Sequence, residues 1–149
     1  MKIFIGADHN GYHLKEQIEE YLKSLGHEVV DKGDDHLDPK DDFTVYASRV
    51  AVEVLGSADE ARGILICGSG QGMVIAANRY KGIRAGLGWS VDAAVSIRND
   101  EDSNILALPS EILEGHKAVW TEIVDNWLST DFAGAERFKR RNAQLDELG

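Results

Sequence analysis

The chain has 149 residues, 43% of them hydrophobic, and a formal net charge of −10, the profile of one globular domain over 1–149 with one core. That charge argues against a nucleic-acid surface, and no apolar run approaches the roughly 20 residues that span a bilayer. Cys67 is the single cysteine and forms no internal disulfide, which fits a reducing cytoplasm. The opening Met1-Lys2-Ile3-Phe4-Ile5-Gly6 lacks the long apolar region of a secretory leader.

Residues 3–7 form the first predicted strand, which closes on Gly6-Ala7-Asp8-His9-Asn10-Gly11. A helix follows at 12–25, where Leu14, Ile18, Tyr21, Leu22 and Leu25 recur at steps of three and four and lay down one apolar stripe. Gly26 ends it at the position where glycine turns without strain. After a strand at 28–31, the loop 31–42 carries Asp31, Asp34, Asp35, Asp38, Asp41 and Asp42; it is too charged for a core and long enough to be functional. Then come a helix at 45–55, a strand at 63–67 closing on Cys67-Gly68-Ser69-Gly70-Gln71-Gly72, a helix at 73–79, a strand at 83–87 and a helix at 91–98. The polar run Arg98-Asn99-Asp100-Glu101-Asp102-Ser103-Asn104 leads into the last strand, 105–108, and a helix at 113–128 follows. The tail, 133–148, is helix-forming but has few apolar positions (Phe138, Leu145, Leu148), so it is expected to dock on a partner subunit. Apolar strands alternating with helices predict a three-layer α/β/α fold of Rossmann-like type around a five-stranded parallel sheet.

In such sheets ligands bind beyond the carboxyl ends of the strands, and the polar runs at 6–11, 67–72 and 98–104 are expected to meet there. Gly68, Gly70 and Gly72 let the backbone approach a ligand and aim N–H groups at it. A dinucleotide-binding turn is disfavoured, because that fingerprint follows the first strand and this loop follows the third. Cys67 stands immediately before the glycines, where N–H groups and a helix dipole favour a thiolate and are expected to lower its pKa below about 8.5. The competing reading is a small apolar strand-end residue. His9, beside Asp8 on the same edge, is either a surface residue or a ligand-binding one. Arg137 and Arg141 lie four apart on one helix face, as either a solvated face or an anion clamp. The other histidines, His13, His27, His36 and His116, have no metal-ligand spacing, and no metal site is expected.

Taken in order along the chain, these segments resemble the type B ribose-5-phosphate isomerases and the related allose- and galactose-6-phosphate isomerases. The resemblance rests on Gly6-Ala7-Asp8-His9-Asn10-Gly11, Asp31-Lys32-Gly33, Tyr46-Ala47-Ser48 and the run from Gly63 through Cys67 to Gly72. It continues through Ile75-Ala76-Ala77-Asn78-Arg79, Gly82-Ile83-Arg84-Ala85, Asp102-Ser103-Asn104-Ile105-Leu106-Ala107 and the arginine-bearing tail. It implies an aldose–ketose isomerase that moves a proton between C1 and C2 through a cis-enediolate, with no metal or organic cofactor. Cys67 is then the base; members that use a glutamate instead carry it where this chain has Met73. Ser69 and the Gly68, Gly70 and Gly72 backbone would hold the oxyanion, and Asp8, His9 and Asn78 would hold the sugar. Arg137 and Arg141 would bind phosphate across the interface of a homodimer or dimer of dimers.

The chain departs from that pattern at several positions. Where the family usually has His-Asn-Asp, the histidine opening the sugar ring, this chain has Asp100-Glu101-Asp102. Glu111 stands at a common phosphate-binding arginine, Asp42-Phe43-Thr44 replaces Asp-Tyr-Pro, and Phe138 replaces a histidine. Asp100 is expected to take over ring opening if its carboxylate neighbours raise its pKa. The alternatives are an isomerase of hexose 6-phosphates or free sugars, and an idle sugar-phosphate- or nucleotide-binding module.

Overall fold

The computed structural model describes residues 1–58 and 60–149. In chain order the elements are β1 (Lys2–Ala7), α1 (Tyr12–Ser24), β2 (Glu28–Asp31), α2 (Phe43–Gly56), β3 (Ala61–Cys67) and α3 (Gln71–Ala77). They continue with β4 (Ala85–Leu87), α4 (Val91–Glu101), β5 (Ile105–Pro109), α5 (Ser110–Leu113), α6 (Lys117–Ser129) and α7 (Glu136–Glu147). The five strands are all parallel, in the order β2-β1-β3-β5-β4. The expected sheet and its helical layers are therefore present.

Because successive side chains of a strand alternate between faces, each central strand feeds two cores. Ile3, Ile5, Ile64, Ile66, Leu106 and Leu108 pack under α1, α4 and α6, with Leu14, Ile18, Trp120 and Trp127 fully buried. Phe4, Leu65, Cys67, Ile105 and Ala107 face α2 and α3, against Tyr46, Val50 and Met73. Trp89, just beyond β4, is by contrast 58% exposed.

Two boundaries differ from expectation for local reasons. The helix expected at 113–128 begins only at Lys117, because Gly115 adopts φ 81 and separates it from the short α5 before it. The strand expected at 83–87 begins only at Ala85, since Ile83 closes a turn on Tyr80 (N–H to C=O, 3.0 Å). The tail forms α7 as expected; it contributes no buried residue and leaves Leu145 and Leu148 exposed.

The topology decides where a ligand can sit. From β1 the chain moves outward to β2 and then returns to place β3 on β1's other side. The helix after β1 lies on one face and the helix after β3 on the other, so the two loops diverge and leave a crevice between them.

Candidate active site

Register brings the first two polar runs together at that crevice. Ala7 pairs with Ile66, and the ladder extends one step as Asp8 N–H donates to the Ile66 carbonyl at 3.2 Å. Asp8 is thus set beside Cys67. The approach is close: a Cβ on Gly11 would come within 2.5 Å of the Ile66 carbonyl oxygen. Gly70 turns the chain into α3 at φ 74, in the left-handed region that glycine enters without penalty. The turn brings the backbone N–H groups of Met73, Gly70 and Ser69 near enough to Cys67 to favour its thiolate. On the other side Cys67 pairs with Pro109, and Glu111 N–H donates to the Gly68 carbonyl at 3.0 Å. The Glu111 carboxylate folds over the loop, its Oε1 2.8 Å from where a Cβ on Gly68 would stand, and the Phe43 ring lies over Gly72.

Burial dominates the electrostatics. Cys67 is only 5% exposed, and desolvation pushes its thiol above the ordinary value; the three N–H groups pull it down and nearby Asp8 adds to the rise. This corrects the expected lowering, because loss of water outweighs the donors. Burial likewise raises Asp8 against the pull of the Gly11 and Asn10 N–H groups, which its Oδ1 accepts at 3.2 and 2.9 Å. His9 is held by Asp41, whose Oδ1 accepts the His9 main-chain N–H at 3.0 Å and meets the ring Nδ1 at 2.7 Å. That bond, ahead of the charges of Asp8, Asp41 and Asp38, raises the His9 pKa against desolvation. One atom each from Asp8, His9 and Asp41 lies within 4.8 Å of the others, a grouping of metal-ligand type. Oδ1 of Asp8 is already engaged by the Asn10 and Gly11 N–H groups, and Oδ1 of Asp41 by His9.

The third polar run is not there. A helix that leaves the carboxyl end of β4 must return to the amino end of β5, and residues 98–104 complete that return. Gly63 N–H donates to the Asn104 carbonyl, and the four residue steps from Gly63 to Cys67 cover about 13 Å. Asp100 therefore lies across the sheet from Cys67 of its own chain, which corrects the expectation that all three runs share one edge. Within this run burial first, and Asp100 second, raise the Glu101 carboxyl, opposed by Arg141. Asp102, at φ 50, is bound by Arg98 at 2.8 Å and Arg84 at 3.3 Å. Arg137 and Arg141 belong to the same edge: α7 packs on α4, Ala133 N–H donates to the Asn99 carbonyl, and Arg137 stacks on Phe138 at 4.5 Å. A cavity of about 530 Å³ between α7 and the body is lined by Arg79, Arg84, Glu101 and Leu148. It is lined by none of the Cys67-loop residues, so the chemistry and not the cavity marks the site.

Asn78 is a third correction. It follows α3 on the amino edge, where its amide donates to the Ala85 carbonyl at 2.9 Å and accepts the Ala85 N–H at 2.8 Å. Both ends of the side chain fix the start of β4, so Asn78 is a structural clasp and does not line the Cys67 site.

A family model described as ribose/galactose isomerase matches residues 3–145. This chain belongs to the ribose/galactose isomerase family. Within the family it resembles the crystal structure of a ribose 5-phosphate isomerase from Thermotoga maritima, at 41% identity and TM-score 0.92 over 99% of this chain and 98% of that one. A ribose-5-phosphate isomerase B from Mycoplasma genitalium, solved with bound ribulose-5-phosphate, matches at 38% identity and TM-score 0.92 over 98% and 94% of the two chains. The ribose-5-phosphate isomerase B of Mycobacterium tuberculosis is 35% identical over 95% of this chain and 85% of its own. Set in this family, the crevice has two groups that sequence reasoning did not bring to it, Asp41 against His9 and Glu111 against the Cys67 loop. Asp41 was one aspartate among six, and Glu111 was visible only as a departure from an arginine. Neither contact has a local signal, since each partner lies more than 30 positions away along the chain.

Proposed function

We propose that this sugar-phosphate aldose–ketose isomerase interconverts ribose 5-phosphate and ribulose 5-phosphate with Cys67 as its base. The observation that carries the reading is the thiol at the end of β3, set beside Asp8 and followed at once by the glycine turn into α3. On the opened sugar the thiolate removes the C2 proton, and the electron pair moves to make a cis-enediolate. The O2 hydroxyl proton passes to O1, and the same thiol returns the carbon-bound proton to C1 as the C2 carbonyl forms. The loop N–H groups, with Ser69 beside them, hold the oxyanion. Asp8 and His9, across the crevice, hold hydroxyls and the anionic end.

Asp100, Arg137 and Arg141 take part only if they reach the Cys67 loop of another copy, which makes the working unit a homodimer or dimer of dimers. This is supported by their grouping at the opposite edge and by an α7 with no buried residue. It is also supported by the exposed Phe43, Val45, Ile75, Trp89 and Ile112, apolar groups that a second subunit would cover. In that arrangement Glu101, raised by burial, joins Asp100 as a carrier of the ring-opening proton. No helix among the described residues is long and apolar enough to cross a membrane; a cytoplasmic location is supported by a thiol base that must stay reduced.

One observation favours a second reading. The Glu111 carboxylate over Gly68 adds a negative charge where a phosphate would approach, which suits a hexose 6-phosphate held further out, or a free sugar. A panel of ribose 5-phosphate, hexose 6-phosphates and free aldoses, run in D2O with deuterium incorporation followed at C1 and C2, tests both. Fastest turnover of ribose 5-phosphate supports the first reading; turnover confined to unphosphorylated or six-carbon sugars replaces it.

A further inference from the structure

The structure gives Asp41 a task beyond charge. Its side chain is only 8% exposed, and one oxygen takes both the main-chain N–H and the ring Nδ1 of His9, at 3.0 and 2.7 Å. A single acceptor thereby fixes the backbone and the imidazole plane together, across 32 residues of chain. A carboxylate can only accept, so Nδ1 must carry the hydrogen and Nε2 is turned over to whatever binds in the crevice. The loop that presents Asp41 is itself anchored. Lys15, 1% exposed, pairs with Asp31, Tyr46 donates to Asp34, and Gly33 and Lys40 N–H groups bond to Asp31 and Asp38.

The charges around His9 come from every side of the crevice. Asp8 lies on its own loop, Asp38 and Asp41 on the loop before α2, Cys67 at the end of β3, and Glu111 on α5 beyond Gly68 and Asn10. These groups are acids, so an anionic substrate entering this edge needs a cation among them. Lys15 is paired with Asp31 and Lys32 with Glu53.

We propose that Asp41 is a positioning residue for the isomerase reaction: it holds His9 so that Nε2–H is presented, as part of an imidazolium, to the anionic end of the sugar phosphate at the Cys67 loop. The proposal rests on the sugar-phosphate reading above. Asp41 touches no substrate and acts only through His9. In Asp41→Asn the bond to the ring is weakened and the charge is lost, so at a pH above the His9 pKa KM for the sugar phosphate should rise by up to about tenfold while kcat stays within about threefold, one unit of pKa being a factor of ten. The pH at which KM begins to climb should move down by about one unit, and Asp41→Glu should restore part of the loss. In a His9→Asn background Asp41→Asn should add nothing.

The deciding measurement needs no turnover: the His9 ring is titrated by NMR in the full-length protein, with and without inorganic phosphate. A fall of about one unit in the ring pKa in Asp41→Asn, with weaker phosphate binding, supports the proposal even if the substrate proves to be another sugar phosphate. An unchanged His9 titration overturns it. So does an equal loss in the His9→Asn background, which would mark Asp41 as a loop brace, or activity that is lost to a chelator and restored by a divalent metal.

Discussion

The two edges of the sheet hold different kinds of chemistry. The carboxyl edge is assembled by main-chain geometry: a strand pairing places Asp8 beside Cys67, a left-handed Gly70 brings N–H groups near the thiol, and Asp41 locks His9. Its groups are mostly buried, and burial shifts both Cys67 and Asp8 upward. The amino edge is assembled by side chains. Asp100, Glu101, Arg137 and Arg141 gather on half-exposed or exposed helical surface where α4 ends and α7 begins. In the mechanism proposed above, one edge would supply the base and the oxyanion cradle, the other the proton carriers and guanidinium forks. Neither is a whole isomerase site. The lesson is that chain proximity to a strand is not enough; which end of the strand a segment touches decides what it can reach.

The comparison can be broken most sharply at Cys67. Cys67→Ala should lower kcat by about 10²–10⁴-fold, the usual scale of positioned proton transfer, while sugar-phosphate binding persists. Activity within a few-fold of wild type, in a folded variant, would remove the thiol from the mechanism. The partition between edges is tested by mixing Cys67→Ala with Arg137→Ala/Arg141→Ala protein. After subunit exchange half of the dimers are mixed and each has one intact site, so roughly a quarter of wild-type activity should return. None would return if each site were built within one chain.

A gentler test uses pH. The thiol must lose its proton to act as base, and burial holds its pKa above the ordinary thiol value. The thiolate fraction therefore grows as pH rises, and kcat, measured at saturating substrate, should climb with pH by up to about tenfold per unit well below that pKa. The climb should extend past neutrality, in step with the alkylation rate of Cys67. A plateau already reached at pH 6 would mean that the N–H cradle wins over burial. The smallest effect should come from Asn78→Ala. Losing two hydrogen bonds to Ala85 should cost about 1–3 kcal/mol of stability, with KM within about twofold of wild type by steady-state kinetics. A large rise in KM would return Asn78 to the site.

Much of this was legible in the sequence because it is local. Alternating apolar strands and striped helices implied the parallel sheet, and the glycines after Cys67 implied a backbone cradle. What was misplaced depended on direction or distance. Residues 98–104 precede a strand, so they arrive at its amino end, although their polarity matches that of the loops at the other end. Asn78 follows the Cys67 loop by only a few positions, yet α3 carries it to the opposite edge. The sign of the Cys67 shift turned on how completely α2 and α3 cover the end of β3, a tertiary fact with no local signature. The pairing of His9 with Asp41 is likewise settled by how the loop 31–42 folds back.

The three tryptophans divide in the same way. Trp120 and Trp127 are wholly enclosed, while Trp89 stands 58% exposed on the rim beyond β4. Tryptophan emission depends on how polar its surroundings are, so one chain carries two reporters without any label. The buried pair will change colour only when the layer beneath α6 comes apart. Trp89 will change when anything settles on the rim, and a soluble quencher will reach it first. Recording emission with and without that quencher thus separates unfolding from docking in a single titration, at native sequence.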